Sequence, residues 1–330
     1  MKRLLTKLIE HQKLTFKESK ELMLKIAHNE ANEAQMAAVL TAYVMRNITI
    51  EELQGFRSAL MELALRVNLN DGNVIDLCGT GGDGKNTFNI STLSSFVVAA
   101  AGVPVAKHGN YGVSSISGSS NVMEQLGYKF SNDEAKLKNE IENAGVCFMH
   151  APLFHPALKA IGPTRRQLGI KTFFNLLGPL VNPAAPQYQL SGVYNAEVGR
   201  IYSYFLQSQC KQFAVVYSLD GYDEVSLTSP IKHFSQQGET LINFEDFGFS
   251  TLSANDITGG ATIEESAKIF MDVLSGKGSK AQNDVIVANS AIAISCYNSN
   301  KSLLESVEVA REVLVSGKAL STFNKLISIQ

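Results

Sequence analysis

The stretch from Asp76 to Thr92, DLCGTGGDGKNTFNIST, sets four glycines (Gly79, Gly81, Gly82, Gly84) within six positions, between a short apolar segment and the start of a helix. Such a turn offers free backbone N–H groups and the positive end of a helix dipole, and its missing side chains let an anion approach closely. Phosphate or pyrophosphate binding is the chemistry it suits. A dinucleotide site also needs an acidic residue about 20 positions on, for the ribose hydroxyls. No Asp or Glu occurs from Lys85 through Met123. A nucleoside triphosphate loop needs Ser or Thr after its Lys, to ligate Mg²⁺, and Asn86 stands there instead. Asp83, inside the loop, is a poor neighbour for a bare anion and a good one for an anion that arrives with Mg²⁺. Thr87, Asn89, Ser91 and Thr92 add hydroxyl and amide groups at the helix start.

Two further segments can join this loop. KHGNYGVSSISGSS, Lys107 to Ser120, follows the next predicted strand and supplies Lys107, His108 and several hydroxyls. DGYDE, Asp220 to Glu224, follows the predicted strand AVVYSL, and on a loop both Asp223 and Glu224 can reach hydrated Mg²⁺, which takes few carboxylates plus phosphate oxygens and water. In a parallel sheet such loops emerge on one edge. Together they suit a magnesium pyrophosphate.

The elements that must position these loops are legible in outline. TFKE at Thr15 and TIEE at Thr49 are capping boxes ahead of apolar residues at helical spacing, Leu22 and Ile26, then Leu53, Phe56 and Leu60. Residues 1 to about 67 therefore read as helices only, with NLNDGN from Asn68 as a connector. VIDLCG from Val74, ISTLSSFVVAAAG from Ile90 and VPVAKHGN from Val103 form a β-loop-α-β unit, so a parallel sheet is expected. Strands follow at YQLSGVY from Tyr188 and QFAVVYSL from Gln212. From about Ile263 the chain returns to helix in three runs, EESAKIFMDVLSG, NDVIVANSAIAISCY and ESVEVAREVLVSGKALSTFNKLI. Between Ala151 and Pro183 a density of Pro and Gly between helical pieces reads as chain crossing between two domains.

Composition narrows the class. With 330 residues, 45% apolar and 18% charged, the chain should be globular. Its 29 basic and 31 acidic residues give no excess pointing to nucleic acid or an acidic membrane surface. MKRLLTKLIEHQKLTF is interrupted by Lys7, Glu10 and His11 and reads as an amphipathic helix, not a signal peptide; a cytoplasmic protein is expected. Cys78, Cys147, Cys210 and Cys296 are scattered, so zinc or a disulfide framework is not expected.

The ordered set GTGGDGKNTFNIST, KHGN followed by SS, RRQLGIKTFFNLLGPLVNP and DGYDE resembles the anthranilate phosphoribosyltransferase family, over nearly the whole chain. The resemblance implies transfer of the 5-phosphoribosyl group from phosphoribosyl pyrophosphate (PRPP) to the amine of anthranilate, with Mg²⁺, in tryptophan biosynthesis. It implies an α/β fold: a small all-helical N-terminal domain, and a large α/β domain with a mainly parallel central sheet flanked by helices. The expected boundaries are 1–70, joined by about 164–180, for the first, and 71–163 with 181–330 for the second. A homodimer formed through the small domains is also implied.

Carried over by position, Gly79, Gly82, Asp83, Thr87, Asn89, Ile90, Ser91, Thr92, Lys107, His108, Gly109, Asn110, Tyr111, Gly112, Val113, Ser114, Ser115 and Ser119 match the family's PRPP positions. Ser91, Asp223 and Glu224 match its magnesium ligands; Gly79, Asn110 and Arg165 match positions that touch anthranilate, Arg165 through the carboxylate. An aromatic amine is unprotonated at neutral pH, so no strong general base is required; His108 is the nearest candidate, and a loop-fixing role suits it equally. His155 should fix a turn or line the aromatic pocket. Where the family has Arg and a small residue after KHGN, this chain has Tyr111 and Gly112. A positive charge is missing there, a more flexible loop is expected, and Lys107 should carry more of the phosphate affinity. The alternatives are a pyrimidine nucleoside phosphorylase-like transfer to inorganic phosphate, and a non-catalytic nucleic-acid-binding relative.

Overall fold

The computed structural model describes residues 1–112 and 117–330. The chain divides into two compact units, Met1–Val67 with Ala151–Pro183, and Asn68–His150 with Ala184–Gln330.

The first unit is helical. Its main helices span Lys2–Ile9, Phe16–Ala27, Glu33–Met45 and Ile50–Leu63, and Gly162–Leu168 is a shorter one. Both predicted capping boxes form, Thr15 with Glu18 and Thr49 with Glu52, and Asn32 with Gln35 makes a third. Leu22, Ile26, Leu53, Phe56 and Leu60 are buried at the predicted helical spacing. Phe173 stacks on Phe56 at 4.7 Å between ring centroids and also packs against Tyr43. Residues 151–163 and 181–183, expected in the α/β part, belong to this helical unit, and residues 68–70, expected here, belong to the other. The reason is local bonding: the Leu65 N–H donates to the Phe154 carbonyl and the His155 ring bonds the Val181 carbonyl at 2.7 Å.

The second unit is built on a seven-stranded sheet in the order β3-β2-β1-β4-β5-β6-β7. The strands are β1 Ile75–Leu77, β2 Val105–Gly109, β3 Val146–His150, β4 Tyr188–Gly192, β5 Gln212–Ser218, β6 Ile231–Ser235 and β7 Gly238–Ile242. β1 to β5 pair in parallel, and β6 and β7 continue antiparallel. The predicted strands at Val74, Val103, Tyr188 and Gln212 are present. β3, β6 and β7 had no clear sequence signal. β3 is buried throughout and lacks alternation, while β7 is exposed along most of its length. The last helical run is broken into Leu303–Val315 and Lys318–Ser328 by Gly317, whose φ of +75° ends the first helix.

The helix Ile90–Ala100 packs on Lys280–Tyr297, whose residues Val285 to Ile294 are all buried. β1 has β2 on one side and β4 on the other, so the strand order reverses there. In open α/β sheets, ligands bind outside the carboxyl ends of the strands at that reversal. No helix among the described residues is long and apolar enough to cross a membrane.

Candidate active site

The glycine loop leaves the end of β1 at the reversal point. Gly81, Gly82 and Gly84 have φ of +61°, +79° and +75°, a region that side chains disfavour. Asp83 accepts the Lys85 N–H at 3.0 Å, and the Lys85 ammonium lies 4.7 Å from the centre of the Tyr222 ring. The far end of the loop is tied down: the Gly259 N–H donates to Asn86 at 2.7 Å, and Thr87 bridges Thr258. Asn89 precedes the helix Ile90–Ala100 without capping it; its amide donates to the Ser117 carbonyl at 3.1 Å. The first turn of this helix is thereby left open to an anion.

The DGYDE carboxylates meet this loop. Asp223 is buried and accepts the Gly81 N–H at 2.8 Å, while Glu224 lines a small pocket together with Ser91. Burial raises the pKa of both groups, and repulsion among Asp83, Asp223 and Glu224 raises it further. Lys107 is the nearby cation that opposes this at Glu224. It is itself buried, with its ammonium donating to the Leu77 carbonyl and, at 3.3 Å, to the Ser91 hydroxyl. Lys107, expected to carry more of the phosphate affinity, is turned inward here and opposes the carboxylate charge.

Three carboxylates against the Lys107 ammonium and the Gly81 and Lys85 N–H groups leave a deficit of positive charge, and oxygen donors of this kind suit Mg²⁺. Among the described residues no group of three or more His, Cys, Asp or Glu is arranged to hold a metal by itself. A small pocket beside the pair is lined by Gly79, Ser91, Ser94, Gly192, Glu224 and Asn289. The Ser94 and Thr92 hydroxyls are buried with no hydrogen-bond partner among the described residues.

The second loop begins at the end of β2. His108 is 2% exposed, and its main-chain N–H donates to Asp76 at 3.0 Å. Asn110 accepts the Tyr111 N–H on its side chain at 2.8 Å, and its carbonyl accepts from the Ser119 hydroxyl and the Ser120 N–H. Tyr111 is anchored: its hydroxyl donates to Glu124 at 2.8 Å and its ring sits edge-on to His150. The Asn121 side-chain oxygen accepts the N–H groups of Gly112 and Gly118. Val113, Ser114 and Ser115 lie outside the described residues.

In the helical unit, Arg165 sits on Gly162–Leu168 with its guanidinium 5.2 Å from the centre of the Phe174 ring. Its hydrogen bond to the Asn175 side chain is long, 3.5 Å, and no carboxylate pairs with it among the described residues. Burial lowers its pKa. A half-buried arginine beside an aromatic ring and without an acid suits an aromatic carboxylate. His155 is buried and its ring bonds the Val181 carbonyl, 26 residues on, and Arg166 is exposed.

Sequence reasoning missed Gly192 and Asn289. An ideal Cβ on Gly192, at the end of β4, would lie 1.6 Å from the Asp223 carbonyl oxygen. Asn289 brackets the backbone of Val225. The available signal for Asn289 was an amide inside the apolar run VIVANSAIAI; Gly192 had none beyond its place at the end of a predicted strand.

The family model described as Glycosyl transferase family, a/b domain matches residues 71–320, and Glycosyl transferase family, helical bundle domain, matches 2–64. An anthranilate phosphoribosyltransferase of Flavobacterium johnsoniae is 56% identical over 99% of this chain and 98% of its own length. One of Bacteroides thetaiotaomicron is 48% identical over 100% and 99%. Among solved structures, the Thermus thermophilus enzyme matches with a TM-score of 0.92 and 31% identity, covering 99% of this chain and 98% of that one. The Saccharomyces cerevisiae enzyme in complex with PRPP and Mg matches with a TM-score of 0.90 and 25% identity, covering 99% and 96%. The chain belongs to the anthranilate phosphoribosyltransferase family.

Proposed function

We propose that this chain transfers the 5-phosphoribosyl group from PRPP to anthranilate, giving N-(5-phosphoribosyl)anthranilate and pyrophosphate, in tryptophan biosynthesis. The observation that carries the reading is the Gly81 N–H bond to Asp223, with Glu224 and Ser91 lining one pocket beside it, at the strand-order reversal. In the reaction the amine nitrogen bonds to C1, the C1–O bond breaks with its electron pair leaving on pyrophosphate, and the nitrogen gives up a proton. The protein's task is to hold the departing anion and align the amine.

Ser91, Asp223 and Glu224 would hold Mg²⁺, which when bound offsets the charge growing on pyrophosphate. Gly79, Gly82, Asp83, Thr87, Asn89 to Thr92, Lys107 to Ser115 and Ser119 are the proposed PRPP positions. Arg165, which lacks an acidic partner among the described residues, takes the anthranilate carboxylate, with Gly79 and Asn110 as further anthranilate positions. His108 is assigned to fixing its loop. Exposed Ile9, Val44 and Met45 on the helical unit support a homodimer, and the net charge of -2 supports an enzyme without nucleic-acid partners.

The test is to mix protein, Mg²⁺, PRPP and anthranilate and follow anthranilate fluorescence. A magnesium-dependent loss of signal is expected. No loss, or transfer from a nucleoside to inorganic phosphate instead, overturns the reading.

A further inference from the structure

Two carboxylates on one short loop repel each other and resist burial, so something other than their own chemistry must hold them at the glycine loop. Three contacts do so, each to the backbone. From behind, Gly192 at the end of β4 lies so close to Asp223 that no side chain fits between them. On the strand side, the Ser218 hydroxyl at the end of β5 donates to the Glu224 carbonyl at 2.7 Å.

The third contact comes from the buried helix Lys280–Tyr297 and has no counterpart in the sequence motifs. Asn289, 1% exposed, accepts the Val225 N–H at 3.1 Å on its side-chain oxygen. Its side-chain nitrogen donates to the Val225 carbonyl at 2.9 Å and to the Val285 carbonyl, one turn earlier on its own helix, also at 2.9 Å. The amide thus treats Val225 as a neighbouring strand would, satisfying both of its backbone groups. Val225 directly follows Glu224, and Asn289 lines the same pocket as Glu224.

We propose that Asn289 is a positioning residue for the Asp223–Glu224 pair, holding Asp223 in register with the Gly81 N–H and Glu224 in the pocket beside Ser91. This rests on the metal role proposed for the pair. Asn289 touches neither substrate nor ion; it transmits the rigidity of a core helix to the loop. An asparagine there does what Leu or Ala cannot, because its amide both donates and accepts at one backbone residue and an aliphatic side chain does neither. An aspartate accepts the Val225 N–H but leaves the Val225 carbonyl unpaired.

The experiment compares the full-length protein with Asn289→Ala, Asn289→Asp and Ser218→Ala, with Ser290→Ala as a control for helix packing and Glu224→Gln as the ligand-loss reference. Mn²⁺ binding followed by electron paramagnetic resonance, with and without PRPP, is expected to weaken ~10–100-fold in both Asn289 variants, the range for residues that orient metal ligands. Amide exchange at Val225 should be faster in metal-free Asn289→Ala. Turnover of the Asn289 variants should recover at high Mg²⁺, that of Glu224→Gln should not, and the KM for anthranilate should stay within twofold. If Asn289→Ala does not fold, Asn289→Asp and Ser218→Ala carry the same readouts. Wild-type Mn²⁺ affinity in the folded Asn289 variants, accompanied only by lower melting temperature, overturns the proposal. Absence of Mn²⁺ binding in the wild-type protein would instead overturn the reading of the carboxylate pair on which it rests.

Discussion

Replacing Gly192 by alanine moves the carboxylate pair without altering any group that carries charge. The added Cβ would lie 1.6 Å from the Asp223 carbonyl oxygen and 2.7 Å from its carbonyl carbon, with backbone on both sides of the clash. An ordinary carbon–oxygen contact is about 3.3 Å, so the end of β4 and the loop that carries Asp223 must separate by roughly 1.7 Å. The Gly81 N–H bond to Asp223, now 2.8 Å, cannot survive a shift of that size. Displacement of reacting groups by about 1 Å costs on the order of 100-fold in rate, equivalent to about 2.7 kcal/mol. We expect Gly192→Ala to lower kcat/KM for PRPP by at least that factor and to raise the Mg²⁺ concentration needed for half-maximal rate, measured by anthranilate fluorescence. Gly199→Ala is the control: its Cβ meets the Phe234 ring at 2.6 Å, so it should destabilise the fold without changing the Mg²⁺ dependence. A Gly192→Ala enzyme within threefold of wild type at every Mg²⁺ concentration would refute the reasoning.

Three other outcomes follow from the same structure. Burial holds His155 neutral, with its pKa pushed down to about 4 from 6.5. The unfolded chain therefore takes up the proton first, and stability present above pH 6.5 is lost as pH falls towards 4, by roughly 3 kcal/mol in full; His155→Gln should flatten that part of the urea-unfolding profile, and an unchanged profile would remove His155 as its source. Glu52 is buried and accepts from the Leu14 and Thr49 N–H groups, the Tyr43 hydroxyl and Arg46. Glu52→Ala strands all four and should cost about 3–5 kcal/mol in urea unfolding of the helical unit. Arg165→Ala should raise the KM for anthranilate more than that for PRPP, and the reverse would move Arg165 to the donor side.

The site was legible where chemistry demands a residue type and opaque where it demands only a position. Gly81, Gly82 and Gly84 announce themselves because positive φ disfavours other residues, and the Thr15 and Thr49 capping boxes mark helix starts with two residues each. Asp83 pointed to a cation because its charge contradicts bare anion binding. Gly192 and Asn289 could not be placed in the same way. Their roles depend on Asp223 and Val225, which are distant in sequence and meet them only through the strand order. β3 and β7 escaped for a related reason: one is buried on both faces and the other is mostly exposed, so neither shows the alternation that marks a half-buried strand. Tyr111 is the instructive departure. Its sequence signal was the loss of a charge, and the structure adds what replaces it, a hydroxyl bonded to Glu124 and a ring against His150.

The most direct test of the central claim is phosphorus NMR of a reaction containing PRPP, anthranilate, Mg²⁺ and the protein, run beside Glu224→Gln. The account predicts pyrophosphate and N-(5-phosphoribosyl)anthranilate in equal amounts with the wild-type chain, none when Mg²⁺ is chelated, and severe loss with the variant. Equal product formation by Glu224→Gln, or PRPP left intact by the wild-type chain, would contradict it.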